Sequence, residues 1–524
     1  MADARDLFGM NMLHAPRFFL MRRMNVDNDA AFLLVSSNSE QVISEAEFVR
    51  LFEDAAKTER SAPRTVLGGD FRTKIYTHWF GESAPYGQDY HDGLVQLGQA
   101  MTSTYDPTED SDIPAGYTYF GQFLAHDLTQ GRKIKGSDVP KNFQTPVLDL
   151  DSIYGPDDDS IIRDGRKLRI GSTYGGTHYK SLPRDLCRAE DGTPAVGNPR
   201  NDDSLLLSQM HVLVVSYHNC LADTHPSLSY EQVRDAVILT LQAIAIYDYL
   251  PRIVPEQTID DVIRHKRSYW RQSLGRQTYG GISAEAAFAG MRFGHSMVRP
   301  SYHGWNAQQG QPRDTPSFLS ISYIGHALDH CRVPSDWLPD WTAMFGAAGQ
   351  DATLMARRID CVLTGFTREI PEDHLPADDN TTSNLAVRNL QLGARARLKS
   401  GVEVRNELAN AGFASSVLDY DSIVSDAPGI RAVLLDGRFG ELRERPPLWY
   451  YILREAEFAN TGKLAGVGAQ IVCETLAACV ELATPSLFSM KGDLPIGSGD
   501  PASIRMSDLI AAVGNPDWYS TALN

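Results

Sequence analysis

No run in this sequence approaches eighteen apolar residues, and the opening Met1-Ala2-Asp3-Ala4-Arg5-Asp6 lacks a basic stretch followed by an apolar one. Neither a membrane span nor a cleaved secretory leader is therefore expected, and the chain reads as cytoplasmic or secreted without a leader. Cysteine is scarce. The six thiols (Cys187, Cys220, Cys331, Cys361, Cys473, Cys479) include no Cys-x-x-Cys pair, which argues against a zinc knuckle or a dense disulfide framework and for free thiols in a reducing compartment. Positive charge is in deficit: 49 Lys and Arg stand against 66 Asp and Glu, a net charge of -17. A nucleic-acid or anionic-membrane surface would want the opposite balance, so no nucleic acid is expected as a partner and small or neutral substrates fit better. Internal repeats and low-complexity tracts are missing as well.

What is present is a chain of 524 residues, long enough to bury a large core. Residues 1–60 carry an apolar patch at Phe18-Phe19-Leu20-Met21 and a helix-like run from Ser44 to Phe52, where Ser44 and Glu47 form a capping box. They hold no evident chemistry and read as an amino-terminal extension to one large domain over 61–524. Residues 66–115 are rich in Gly, Pro, Asp and Tyr and read as loop. They lead into Gly116-Tyr117-Thr118-Tyr119-Phe120-Gly121-Gln122-Phe123-Leu124-Ala125-His126-Asp127-Leu128-Thr129. As a helix, this stretch puts Tyr119, Gln122 and His126 on one face, with Phe120, Phe123 and Leu124 toward a core. A histidine so placed is by itself an ordinary core residue; its company of Gln122 and Asp127 gives it interest.

The next segment is Thr145-Pro146-Val147-Leu148-Asp149-Leu150-Asp151. Oxygen-bearing groups at every second position suit either a solvated acidic loop or a hard cation, to which Asp127 could add a carboxylate. Then Gly197-Asn198-Pro199-Arg200-Asn201-Asp202-Asp203-Ser204 opens an apolar-periodic helix, where acidic residues are expected for capping and dipole reasons alone. His211 and His218 on that helix read as packing residues, and Tyr230 to Pro251 reads as helical scaffold. The run from Ala284 to Pro300 reads as a helix stopped by proline, with Phe288, Met291 or Arg292, and His295 sharing a face.

Taken together, these stretches resemble the animal-type haem peroxidases of the peroxidase–cyclooxygenase superfamily. The family's distal signature Gly-Gln-x-x-Asp-His-Asp corresponds to Gly121-Gln122-Phe123-Leu124-Ala125-His126-Asp127. Its Arg-x-x-Glu corresponds to Arg200 to Asp203, its Phe-Arg-Tyr-Gly-His to Met291 to His295 with Arg292 as the arginine, and its Leu-Asn-Met-Gln run to residues 388–391 with Asn389 as the asparagine. The resemblance spans about residues 65 to 485. It implies a mainly α, single-domain helical fold with very little β, binding haem b and Ca2+. His126, Arg200 and Gln122 would face hydrogen peroxide; His295 would ligate the haem iron. Arg292 would pair with a haem propionate, and Asn389 would accept the second N–H of His295. Calcium would be held by Asp127, Thr145, the carbonyl of Val147, Asp149 and Asp151.

Two departures shape the expected chemistry. Mammalian members esterify the haem through an acid before the distal histidine, here Ala125, and through the Glu of Arg-x-x-Glu, here the shorter Asp203. At most one ester is possible, and Ser204 rules out a sulfonium link. The less distorted haem that results would oxidise bromide, iodide, thiocyanate or phenolic donors rather than chloride. Three rivals compete with this reading. A fatty-acid dioxygenase or other biosynthetic oxygenase on the same scaffold would want a tyrosine about three residues before His295, where Met291-Arg292-Phe293-Gly294 stands. Zinc hydrolysis through His326-x-x-x-His330 would want a Glu beside His326, where Ala327 stands. A non-catalytic haem-binding module would not need His126, Arg200, His295 and Asn389 together.

Overall fold

The computed structural model describes residues 20–26, 29–36, 39–44, 76–102, 110–132, 141–142, 144–155, 163–175, 180–189, 192, 194–202, 204–273, 282–306, 332–347, 351–365, 383–413 and 418–514. Near the amino terminus three strands, β1 (Leu20–Val26), β2 (Asp29–Ser36) and β3 (Ser39–Ser44), pair as an antiparallel meander with Leu20 opposite Val35 and Ala31 opposite Ser44. The patch at Leu20-Met21 thus opens a strand and Ser44 closes one; the helix-like run that Ser44 was expected to cap follows it. Residues 45–52 lie outside the described set. The other strand pairs among the described residues are pieces of two to five residues, so the remainder is helical, as the resemblance implied.

Eight helices carry the argument: α1 (Gln88–Met101), α2 (Gly116–Leu128), α3 (Leu205–Thr224), α4 (Tyr230–Ile244), α5 (Ala284–Phe288), α6 (Leu385–Arg395), α7 (Leu448–Ala459) and α8 (Gly466–Glu481). Their starts follow local chemistry. Ser204 caps α3 by accepting from Leu207 N at 3.2 Å, and Ser229 with Gln232 forms a reciprocal capping box on α4. Asp202 does something else. Its carboxylate takes both terminal nitrogens of Arg188 at 2.7 and 2.8 Å, fixing the segment before α3.

Helix α2 is the hub. Every residue in it except Gln122 and Ala125 is buried, so the one-sided stripe read from sequence becomes a helix enclosed nearly all round. It packs on α3 and on the residue 290–296 segment, which α7 and α8 also touch. The stretch Tyr230–Ile253, through α4 and a π turn at Ala245–Tyr249, is long and apolar enough to cross a membrane. However, 72% of its most apolar window is buried inside the protein, and it serves as a core helix.

That π turn delivers Tyr249 against α2. A Cβ at Gly121 would overlap the buried Tyr249 hydroxyl, which gives the glycine of the Gly-Gln pair a packing reason. Gly121→Ala is expected to cost about 1–3 kcal/mol of stability, since the rigid ring cannot yield cheaply. Gly437→Ala, where a new Cβ meets nothing within 4 Å, should stay within about 0.5 kcal/mol. Chemical denaturation of the two variants checks the contrast.

Candidate active site

His126 sits in the last turn of α2, buried, with Nδ1 3.3 Å from Asn201 Oδ1. Burial pushes its pKa well below the ordinary value, and the charge of Arg200 pushes the same way. The imidazole is thus neutral. Gln122, one turn earlier, is half-buried, as the shared face with His126 requires.

Arg200 belongs to a 3-10 turn, Pro199–Asp202, that is stitched to α2 by an asparagine the sequence reading passed over. Asn198 is fully buried; its Nδ2 donates to the His126 carbonyl at 2.8 Å and its Oδ1 accepts from Arg200 N at 3.1 Å. Asp203 lies outside the described residues.

His295 departs from the expected α-helical setting. Helix α5 ends at Phe288, Ala289 breaks the geometry (φ -135, ψ -65), and Gly290–Ser296 continues as a 3-10 helix. With three residues per turn, Arg292 and His295 stack on one face, a cleaner alignment than an α-helix gives. Burial pushes the His295 pKa down to about 3, with Arg292 and Arg388 adding repulsion. Its Nδ1 lies 2.8 Å from Asn389 Nδ2, and Trp449 of α7 meets the ring edge-on at 6.4 Å while donating to the Arg292 carbonyl at 3.1 Å.

Asn389 does reach the far nitrogen of His295, but with its amide nitrogen instead of the expected oxygen. The cause is Arg292, whose Nη1 takes Asn389 Oδ1 at 2.8 Å while Nε takes Ala287 O at 2.9 Å. No carboxylate among the described residues pairs with Arg292. Burial lowers its pKa to about 10; Tyr76 opposes that shift, whereas Arg200 and Arg388 reinforce it. Tyr76 itself is pushed up to about 12 by burial and drawn down by both Arg200 and Arg292. The two arginines, one beside each histidine, therefore act on a common buried space. Arg388, next to Asn389, adds a third charge that the sequence reading missed.

The acidic segment folds under α2. Asp127, Asp149 and Asp151 are all buried, with one carboxylate oxygen from each within 4.8 Å of the others. Thr145 joins them: its hydroxyl contacts Asp149 Oδ1 at 2.9 Å and Asp151 Oδ2 at 2.7 Å, and Gln144 donates to Asp151 Oδ1. Val147 is buried beside them. This disposes of the solvated-loop alternative. Asp127 also accepts Leu150 N (3.0 Å), Ser152 N (3.1 Å) and Ser152 Oγ (2.7 Å). Leu150 is held left-handed at φ 56, a conformation that costs roughly 1–3 kcal/mol and that these bonds stabilise. Desolvation, and then the charge of Asp149, raise the Asp127 and Asp151 pKa values.

Elsewhere the bland readings hold. His218 is a packing residue between the Tyr154 hydroxyl and the Arg166 carbonyl. Cys187, Cys220, Cys361, Cys473 and Cys479 are free thiols. His326, His330 and Cys331 lie outside the described residues. His211, read as packing, is buried and accepts at Nδ1 from Asn201 Nδ2 at 3.2 Å.

Residues 137–327 match the animal haem peroxidase family model. The human probable oxidoreductase PXDNL is 26% identical over 196 residues (32% of this chain, 13% of that protein), and human thyroid peroxidase 23% over 269 residues (44% and 27%). The chain thus spans only a minor part of these relatives' length. Among solved structures, peroxidase A of Dictyostelium discoideum aligns with a TM-score of 0.56 at 16% identity, covering 88% of this chain and 96% of the other. A fatty acid alpha-dioxygenase of Oryza sativa with palmitic acid gives 0.58 at 14%, covering 86% and 87%. Both likenesses establish the shared fold.

The buried carboxylates carry a pH signature. Their folded-state pKa values lie above the unfolded ones, so the metal-free folded chain holds extra protons and loses stability as pH rises past about 4. Thermal melts in chelator should show Tm falling from pH 5 toward pH 7.5, and Asp149→Asn, which removes a repelling charge, should flatten that fall. A melt independent of pH contradicts the assignment.

Proposed function

We propose that this chain, which carries an animal haem peroxidase domain, is a haem-dependent peroxidase that uses hydrogen peroxide to oxidise halides, pseudohalides or small phenolic donors. The observation that carries the reading is the pair of neutral imidazoles, the buried His126 and the half-buried His295, with Arg200 and Arg292 both acting on the buried Tyr76. Haem b fits these residues. His295 would offer a neutral imidazole to the iron, and the half-buried Arg292, paired with no carboxylate among the described residues, would meet a propionate. Once bound, the haem supplies the redox chemistry of peroxide reduction.

The chain's own groups do the rest. His126 takes a proton from hydrogen peroxide and returns it to the departing oxygen, which a neutral imidazole can do and an imidazolium cannot start. Arg200 stabilises the charge that develops as the O–O bond breaks. Gln122 positions water or a halide beside His126. Were Arg292 to pair with a propionate, the Asn389 amide would be free to turn its oxygen to His295 Nδ1 and make the imidazole a stronger donor. Asp203 is the position for a single ester link.

Ca2+ is the cation proposed for Asp127, Thr145, Val147, Asp149 and Asp151, because three buried carboxylates and a hydroxyl form a hard, all-oxygen donor set. The metal would relieve the repulsion that raises their pKa values. The region beyond the shared fold, including residues 1–60, is proposed as an extension.

A second reading, fatty-acid oxygenation, has the fold in its favour. The position three before His295 is Arg292, held by Ala287 and Asn389, and this favours the peroxidase.

His295→Ala should abolish stable haem binding, read from the loss of the Soret band after gel filtration. His126→Ala should retain haem yet react with peroxide about 10²–10⁴-fold more slowly by stopped-flow absorbance. A Soret spectrum unchanged by His295→Ala overturns the axial role; an unchanged peroxide rate in His126→Ala overturns the base. Added Ca2+ should raise the Tm of chelator-treated protein at pH 7, and Asp149→Ala together with Asp151→Ala should erase that rise.

A further inference from the structure

We infer that Asn201 is a positioning residue that locks His126 into one tautomer, with the proton on Nδ1 and the lone pair on Nε2. The inference deepens the reading of His126 as the proton acceptor. A general base needs its lone pair on the nitrogen that meets the substrate, and the other nitrogen must then carry hydrogen.

Asn201 is fully buried, and its amide has one end that can only donate and one that can only accept. The nitrogen end lies 3.4 Å from the Ser152 carbonyl oxygen, a group that can only accept. That contact fixes which end is which. The same nitrogen end faces His211 Nδ1 at 3.2 Å, so His211 accepts there and carries its own proton on Nε2. What remains for His126 is Asn201 Oδ1 at 3.3 Å, and an amide oxygen requires His126 Nδ1 to donate. One side chain thus sets two histidines in opposite tautomers. Rotating the amide would oppose its oxygen to the Ser152 oxygen, an arrangement that loses a bond and adds repulsion inside a dry site.

The Ser152 carbonyl is itself immobilised. Ser152 N and Oγ both donate to Asp127 Oδ1, and its carbonyl also accepts Asn198 N at 3.1 Å. A Cβ on Gly197 would overlap the Asp151 carbonyl, so the segment bearing Asn198 and Asn201 lies flat on this loop. Asp127 therefore governs its sequence neighbour His126 by a detour: Asp127 to Ser152, Ser152 to Asn201, Asn201 to His126. His211, held by the same Asn201, lines a small cavity of about 20 Å³ with Asp185, Arg169 and Cys187, room for one water.

The test is nitrogen NMR of the full-length chain, labelled with ¹⁵N-histidine and kept diamagnetic as the ferrous carbon monoxide form or free of haem. Spectra of His126→Gln and His211→Gln identify the two rings. The lock requires a pyrrole-type Nδ1 and pyridine-type Nε2 for His126, and the reverse for His211. A His126 proton on Nε2 overturns it, whatever the variants do. Asn201→Asp, which keeps an acceptor toward His126 and removes the donor toward His211, should leave the His126 pattern intact and invert that of His211. Asn201→Leu, similar in size but without polarity, should release both. If the His126 pattern survives in Asn201→Leu, Asn201 is a packing residue and the proposal falls.

In haem-loaded protein, Asn201→Leu should slow the reaction with peroxide about 10²-fold, the lower end of what a general base contributes, with Asn201→Asp recovering part of that loss. Wild-type protein showing the locked tautomer but inert to peroxide would sink the peroxidase reading and leave the lock standing.

Discussion

The His126 wall of the candidate site depends on the carboxylate of Asp127. It is fully buried on α2, one residue after His126, and its two oxygens gather three donors from the turn at 150–152. Without those bonds the left-handed Leu150 would lose its compensation, and the Ser152 peptide its orientation. With them, the loop that carries Asp149 and Asp151 is clamped under the helix, and the 197–202 segment carrying Arg200 rests on it through Gly197 and Asn198. The order of the site follows from a buried charge that must find partners. Helix, acidic loop and arginine turn are three remote pieces of chain that this need brings together.

The opposite wall is built on other terms. His295 is presented by a 3-10 turn gripped by α7, and its ring is bracketed by Trp449 and Asn389. Arg292 stacks beside it and holds Asn389 by the oxygen. Positive charge from Arg200, Arg292 and Arg388 converges where no carboxylate among the described residues balances Arg292. A chain of net charge -17 gathers cations here, a setting that suits the dianionic cofactor proposed above.

Much of this was legible in the sequence, and the reasons for the rest are physical. The α2 residues announced themselves because a helix with Gly121, Gln122, His126 and Asp127 in fixed spacing is unusual, and the buried acidic run Thr145 to Asp151 alternates in a way that solvated loops need not. What stayed hidden were contacts made by residues with no periodicity of their own. Asn198, Asn201 and Ser152 look like loop-formers and are fully buried connectors; their role arises only when three segments meet. The 3-10 geometry at His295 was missed because the apolar spacing from Ala284 to Ser296 fits a helix, although Gly290 and Gly294 weaken α-helical propensity there. Arg292, expected to meet a propionate, also bonds Asn389, a partner no local pattern reveals. The strands at 20–44 were missed for the same reason that short apolar runs are ambiguous between strand and helix.

The central claim is that the two histidines flank a peroxide-reducing haem, and the most direct measurement is the absorption spectrum of the haem-loaded protein before and within milliseconds of adding equimolar hydrogen peroxide. The account requires a ferric Soret band that bleaches on mixing and returns when bromide, iodide or a phenol is supplied. A protein that takes up haem but whose Soret band ignores peroxide, or one that takes up no haem at all, would contradict it.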